Sequence, residues 1–336
     1  MLSPEVRSRL EQLNRGPLPS SGPELLAAQQ AQVSQIDPPA AEGDRSSRFS
    51  LAAALSQLGH VVRRAIDIEP PSGDSVLGTG SQFEVENSSG KHLRLRRPLE
   101  TFWPQSSAHL VGRPSPTIRE DQHDELRACS QALPDGLIFL DLETCGFAGS
   151  MVFLVGLLRM CGGRWTLDQL LAHNYAEERA VLETLWQTAA EHRVLITFNG
   201  KSFDWPMVHD RSTRHLIGVN HGELSQTHGS RFDPQSARPQ LMHCDLLHHA
   251  RRRWRGHLPN CRLQTLERYV CGRRRAGDIH GAEIPAAYHH YVRTGEDRQM
   301  RSVLHHNALD LVTLLELLLE LLAADGGIQD AEAARG

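Results

Sequence analysis

The segment LIFLDLET, residues 137–144, constrains the fold of this chain more than any other. Its first four residues are all apolar, which is typical of a buried strand, and Asp141 and Glu143 follow where that strand should end. Because successive side chains of a strand point to opposite faces, the two carboxylates point the same way. Two like charges beside an apolar run are costly unless something neutralises them. The segment therefore predicts a strand end that needs a positively charged partner.

Short apolar strands and helical patterns follow one another along the C-terminal part of the chain. We predict strands in residues 137–144, 152–160, 164–173 and 193–200, with Gly162-Gly163 as a hairpin turn. Residues 181, 182, 185, 186 and 189 form the apolar face of a helix. Further helical segments are predicted at 123–133, 204–216, 241–254, 261–270, 284–295 and about 298–322. This order indicates an α/β fold, a mixed central sheet flanked by helices.

The domain organisation follows from changes in composition. Residues 1–45 are rich in Pro, Ser, Gln and Ala, and we expect a disordered arm there. Residues 46–120 would form a small N-terminal region of unknown role, with a hairpin at 81–97 around a Ser-Ser-Gly turn. Residues 121–325 form the predicted α/β domain, and 326–336 a disordered tail.

Charge and cysteine content exclude several classes of protein. The net charge is −4, so any surface for nucleic acid must be local. The six cysteines show no C-x-x-C spacing, and we interpret them as reduced thiols of a cytoplasmic protein. The N-terminus lacks the apolar core of a signal peptide. Glu316 and Glu320 interrupt the longest apolar run, which predicts a buried helix and no membrane association.

Three short motifs carry the chemistry. Asp141 and Glu143 end a strand, Asp204 begins a helix after the strand LITFNG, and Asp310 lies in the helical segment HHNALD. Four carboxylates meeting at a sheet edge would repel one another, and two Mg²⁺ or Mn²⁺ ions would remove that penalty. Such a metal pair can activate water against a phosphodiester. His306 is one helical turn before Asp310 and is well placed to take the proton of that water.

These motifs resemble a known family. DLET, NGKSFD and HNALD are similar to the three motifs of the DEDD superfamily of 3′–5′ exonucleases, which has the ribonuclease H-like fold. The closer resemblance is to the bacterial YprB-like branch, and it extends over about residues 130–322. It implies metal binding by Asp141, Glu143, Asp204 and Asp310. It also implies a histidine or tyrosine base before the last aspartate: His306 stands at the four-residue spacing and His305 at the five-residue spacing, and we favour His306.

Other residues are candidates for contact with nucleic acid. Asn199 opens the second motif and would hold a phosphate or sugar, or cap the turn; Lys201 follows it. Residues 251–275 contain nine arginines (251, 252, 253, 255, 262, 268, 273, 274 and 275) and only one acid, Glu267. Such a run would concentrate phosphates, with Arg251, Arg252, Arg253 and Arg255 as contacts and Trp254 stacking a base.

Three alternative interpretations involve neighbouring residues. A Walker loop at NGKS is rejected, because Leu195 stands where a glycine is required. His243, Cys244, His248, His249 and His257 resemble a zinc cluster but lack a second ligand pair at short spacing. Asp245 is interpreted as a structural residue or a neighbour of the metal ligands.

The sequence therefore predicts a two-metal nuclease acting on nucleic acid, with a single-stranded end as its substrate. The resemblance implies that nucleotides are removed from the 3′ end. A nuclease-like module that binds without cutting, and a structure-specific endonuclease of the same fold, remain alternatives. A third alternative is an interaction scaffold that uses the N-terminal arm and the Leu-rich helix. The choice between DNA and RNA and the oligomeric state leave no signature in the sequence.

Overall fold

The computed structural model describes residues 66–68, 81–106, 110, 122–146, 149–217 and 241–326. All of them belong to one compact unit that spans residues 53–336. The predicted arm of residues 1–45 and the tail from residue 327 lie outside the described residues.

A mixed seven-stranded sheet forms the centre of this unit, in the order β2–β3–β6–β5–β4–β7–β8. Strands β4, β7 and β8 run parallel, and the other neighbours in the sheet are antiparallel. The bounds are β2 Ser81–Asn87, β3 Gly90–Pro98, β4 Leu137–Thr144, β5 Val152–Cys161, β6 Arg164–Leu171, β7 Val194–Thr197 and β8 Met242–Asp245. A separate parallel pair joins β1, Ile66–Ile68, to β9, Arg273–Arg275.

Seven α-helices are described, in addition to short 3₁₀ turns. They are α1 Asp124–Ala132, α2 Glu178–Ala189, α3 Asp204–Arg214, α4 Leu246–Trp254, α5 Leu263–Tyr269, α6 Ile284–Thr294 and α7 Arg298–Gly326.

Strand β4 separates an apolar face from the face that carries the acids. Ile138, Leu140 and Leu142 pack with the predicted apolar face of α2, whose residues are all buried. The alternate side chains of β4 point the other way, toward α7, where Asn307 contacts Asp141. The period of two therefore brings both acids of DLET under the last helix.

The structure confirms the α/β class. The predicted hairpin is β2–β3, and β3 also pairs with β6, so the hairpin is part of the central sheet. The segment 241–254, predicted to be mostly helical, begins with strand β8, which adds a parallel edge to β7.

Helix α7 is buried along most of its length, as the Leu-rich run predicts. Glu316 within it accepts a hydrogen bond from Arg273 at 2.6 Å, so the charge that interrupts the run has a buried partner. None of the described helices combines the length and the apolar character needed to cross a membrane.

Candidate active site

The four predicted carboxylates come from three elements. Asp141 and Glu143 are on β4, Asp204 is the first residue of α3, and Asp310 is in α7. Electrostatic repulsion links them, because Asp310, Glu143 and Asp204 each raise the pKa of Asp141. The structure thus brings together all four of these predicted residues at the end of β4.

Burial is the main cause of the raised pKa values of these carboxyl groups. It raises the pKa of Asp141 well above its ordinary value, and repulsion from neighbouring carboxylates adds to the shift. It also raises the pKa of Glu143 to about 8 and that of Asp204 to about 7. Such carboxyl groups keep protons near neutral pH unless cations replace them.

Asn307 holds Asp141 in place. Its Nδ2 donates to Oδ2 of Asp141 at 2.8 Å, and its Oδ1 accepts from Nε2 of Gln169 at 2.9 Å. Gln169 Oε1 in turn accepts from Nη1 of Arg97 on β3, at 2.9 Å. A chain of hydrogen bonds therefore joins the N-terminal hairpin to the first acidic motif.

His306 is oriented by an aspartate that the motifs do not contain. Both oxygens of Asp278 lie 2.9–3.0 Å from Nδ1 of His306. Nε2 of the same ring lies 3.5 Å from Oδ2 of Asp310. Burial lowers the pKa of His306, but Asp278, Asp310 and Glu143 raise it further, so the net shift is upward.

His305, the reserve candidate for the base, has a different environment. It lies beside Phe102, with ring centroids 6.1 Å apart, and neither ring nitrogen has a hydrogen-bond partner among the described residues. Burial lowers its pKa to about 4. The structure therefore places His306, and not His305, against the carboxylates.

Arg275 provides a positive charge inside the site. Its Nη2 lies 2.5 Å from Oδ1 of Asp310, its Nε lies 2.7 Å from Glu267, and its Nη1 lies 3.2 Å from Asp278. The side chain is 5% exposed. The guanidinium of Arg275 thus links Asp310 to Asp278, the aspartate that holds His306.

Asp245 holds the backbone of the second motif through hydrogen bonds. Its carboxylate accepts the backbone N–H of Asn199 at 2.7 Å, of Lys201 at 3.1 Å, and of Leu247 at the start of α4. Asn199 has a φ of 63°, a left-handed conformation that Asn tolerates better than most residues. Of the two interpretations of Asp245, these contacts support the structural one.

The arginine-rich region divides into buried and exposed parts. Arg251, Arg252 and Arg255 are exposed at the end of α4. Trp254 between them is completely buried, so the prediction that its ring stacks a base is wrong for this conformation. Arg273 and Arg275 are buried against acids, and therefore these two hold the fold rather than offer charge to a strand.

A groove with a volume of about 410 Å³ lies along α5 and β9. The exposed Arg268 and Arg274 line it, together with Tyr269, Arg275 and Asp278. Because Asp278 contacts His306, the lining of this basic groove includes a residue in contact with the candidate site.

Phe203 directly precedes Asp204 and is 65% exposed. Its ring is therefore accessible at the start of α3, next to Asp204 in the sequence. Sequence reasoning missed Phe203 and also Asp278 and Asn307. The spacing of Asn307 within HNALD was visible, whereas Asp278 lies in an irregular segment without a pattern.

The donor set of the site suits hard divalent cations. Its ligand candidates are carboxylates, and burial together with mutual repulsion penalises their charged form. Mg²⁺ and Mn²⁺ prefer such oxygen ligands. Arg275 offsets only part of the charge, because Glu267 and Asp278 share it.

Comparisons with known proteins agree with this geometry. The chain is 33% identical over 190 residues to the "Uncharacterized protein YprB" of Bacillus subtilis (strain 168). That match covers 56% of this chain and 42% of the relative, so the chain spans less than half of the relative's length. A family model described as RNase_H superfamily matches residues 138–322, which include all four carboxylates and both histidines. More than half of the chain matches this model, and the chain therefore belongs to the RNase H superfamily.

Proposed function

We propose that this protein is a metal-dependent nuclease of the DEDD type that removes nucleotides from the 3′ end of a nucleic acid strand. One observation carries the proposal: four carboxylates from three elements meet beside a histidine that another carboxylate orients. Membership in the RNase H superfamily supports the nuclease class. The direction of hydrolysis rests on the resemblance of the three motifs alone.

Asp141, Glu143, Asp204 and Asp310 would hold two Mg²⁺ or Mn²⁺ ions. When bound, these ions would supply the positive charge that polarises the phosphoryl group and offsets the charge of the leaving oxygen. The protein's contribution is a fixed ligand set, in which Asn307 orients Asp141 and Arg275 orients Asp310.

His306 would act as the general base. Its Nδ1–H donates to Asp278, which leaves the lone pair of Nε2 on the side of Asp310. Nε2 would accept the proton of the attacking water, and Asp278 would stabilise the imidazolium that results.

The basic groove would guide the substrate strand. Arg268 and Arg274 line the groove, and so does Asp278, which contacts His306. Phe203 provides an exposed ring next to Asp204 on which the terminal base would stack. Asn199, Lys201 and the exposed arginines of residues 251–255 remain proposed contacts along the strand.

The test is a cleavage assay with end-labelled single-stranded DNA and RNA in Mn²⁺. We expect a ladder that shortens from the 3′ end, and its loss in Asp141→Ala and Asp310→Asn. Asp210→Asn is the matched control, because this aspartate is exposed on the same helix as Asp204 and forms its salt bridge with Arg214. Cleavage of circular strands would indicate an endonuclease. Binding without cleavage of any strand would contradict the proposal.

A further inference from the structure

A second group of metal-binding side chains lies on α1 and α4, on residues other than the four carboxylates. It consists of His123, Glu125 and His249, which each offer a ligand atom, and these three atoms lie within 4.8 Å of one another. His123 is the N-cap residue of α1, where its Nδ1 accepts the backbone N–H of Glu125 at 3.3 Å. Because a neutral imidazole has a single acceptor nitrogen, binding of a metal by this ring would replace the cap bond. Glu125 is in the first turn of α1, and His249 is on α4. Two imidazoles and one carboxylate form a ligand set typical of zinc.

The ligand atoms are close to the spacing that a metal requires. Nε2 of His249 lies 2.9 Å from Oε2 of Glu125. Two ligands of a tetrahedral zinc ion with bonds of about 2.0–2.1 Å are roughly 3.3 Å apart. The rings of His123 and His249 meet edge to face with centroids 4.8 Å apart, and the three ligand atoms lie within 4.8 Å of one another.

The surroundings orient these ligands as an outer shell does. The His249 side chain is 2% exposed, and the thiol of the buried Cys244 hydrogen-bonds to it. The second oxygen of Glu125 lies 2.7 Å from Nζ of Lys201. Outer-shell partners of this kind fix the ring orientation and the carboxylate of a metal site.

We propose that His123, Glu125 and His249 form a zinc site, with water completing the coordination. The ion would join the N-terminus of α1 to α4. Through Lys201, it would also brace the turn that precedes Asp204. This role is separate from catalysis, because none of the three ligands is in the carboxylate cluster.

The test measures metal binding by the full chain after treatment with a chelator. Titration with Co²⁺ should give the visible absorption of a site with nitrogen ligands, and competition with a chromophoric chelator should give the zinc affinity. His123→Asn keeps a good helix cap but removes the imidazole. Because loss of an outer-shell partner costs about 10–100-fold in affinity, loss of this ligand should weaken zinc binding at least about tenfold.

Two control variants sharpen the result. Lys201→Met removes the outer-shell partner that holds the second oxygen of Glu125, and zinc should then bind more weakly. Asp141→Asn with Asp310→Asn should leave the zinc affinity unchanged. The proposal fails if the native chain binds no zinc, if His123→Asn binds it with native affinity, or if the carboxylate variants abolish binding. None of these readouts depends on nuclease activity.

Discussion

Asn307 occupies the space that a side chain at Gly156 would fill. The two residues face each other where β5 passes under α7, and a Cβ on Gly156 would lie 2.2 Å from Oδ1 of Asn307. Gly156 pairs with Asp141 on one side and with Gln169 on the other. The absence of a side chain here is what lets Asn307 reach both of these partners.

We predict that Gly156→Ala destabilises the protein and weakens metal binding. The added methyl must displace Asn307, and overpacking of this kind costs about 1–3 kcal/mol. The displaced amide would also release Asp141. Urea unfolding gives the loss of stability, and calorimetric Mn²⁺ titration gives the loss of affinity.

Gly281→Ala is the matched control for this variant. A Cβ at residue 281 meets nothing within 4 Å, so the change should alter stability by less than about 0.5 kcal/mol. Equal effects of the two substitutions would contradict the role of Gly156.

The acidic motifs could be predicted from the sequence because their signals are local. The period of two in LIFLDLET fixes the face of Asp141 and Glu143, and the helical spacing of HNALD places His306 one turn from Asp310. Asp278 and Arg275 could not be found this way. Their partners, His306 and Asp310, are 28 and 35 residues away in the sequence.

The contact between Asp278 and His306 leads to a second prediction. Asp278→Asn keeps the shape of the side chain but removes the charge that orients and stabilises the imidazolium. Since general-base catalysis contributes about 10²–10⁴-fold, we expect kcat to fall by at least about tenfold with little change in KM. Steady-state kinetics in Mn²⁺ would measure this.

The pH profile gives the same variant a second readout. His306 must be neutral to accept a proton, so activity should rise with pH through its pKa. Because Asp278 raises that pKa, the acidic limb of the profile should move to lower pH in Asp278→Asn. If Asp278→Asn keeps the native kcat and its acidic limb does not move, Asp278 does not support the general base.

The arginine run shows why composition alone misleads. Nine arginines in 25 positions indicate a basic surface, but Arg273 and Arg275 are buried against Glu267, Glu316 and Asp310. Only Glu267 is within the run itself. The other two acids, Glu316 and Asp310, come from α7. A window of the sequence around the arginines cannot show that a distant helix neutralises their charge.

The raised pKa of Glu143 predicts how the stability of the metal-free protein depends on pH. Burial raises this pKa from 4.5 to about 8, so the folded state holds a proton that the unfolded state has lost. This proton contributes stability that is fully present below about pH 4.5 and is lost as the pH rises toward 8. The slope is at most about 1.4 kcal/mol per pH unit.

Comparison with Glu143→Gln isolates this contribution. Glutamine cannot titrate. The unfolding free energy of this variant, measured in chelator, should therefore fall less between pH 5 and 8 than that of the native chain. Saturating Mn²⁺ should reduce the fall in the native chain, because bound cations replace the proton. Parallel pH curves for the two proteins would show that Glu143 does not titrate in this window.

The exposure of Phe203 leads to the last prediction. Phe203→Ala removes a ring that is 65% exposed, so it should change stability little. Stacking of one base is worth about 1–3 kcal/mol, and loss of the ring should therefore weaken binding of a single strand by about 5–150-fold. Fluorescence anisotropy in an Asp141→Asn background measures binding without cleavage.

Leu216→Ala is the control, because Leu216 is also apolar and 51% exposed but lies beyond the end of α3, away from Asp204. Equal losses in the two variants would mean that general apolar contact, and not stacking at the site, holds the strand.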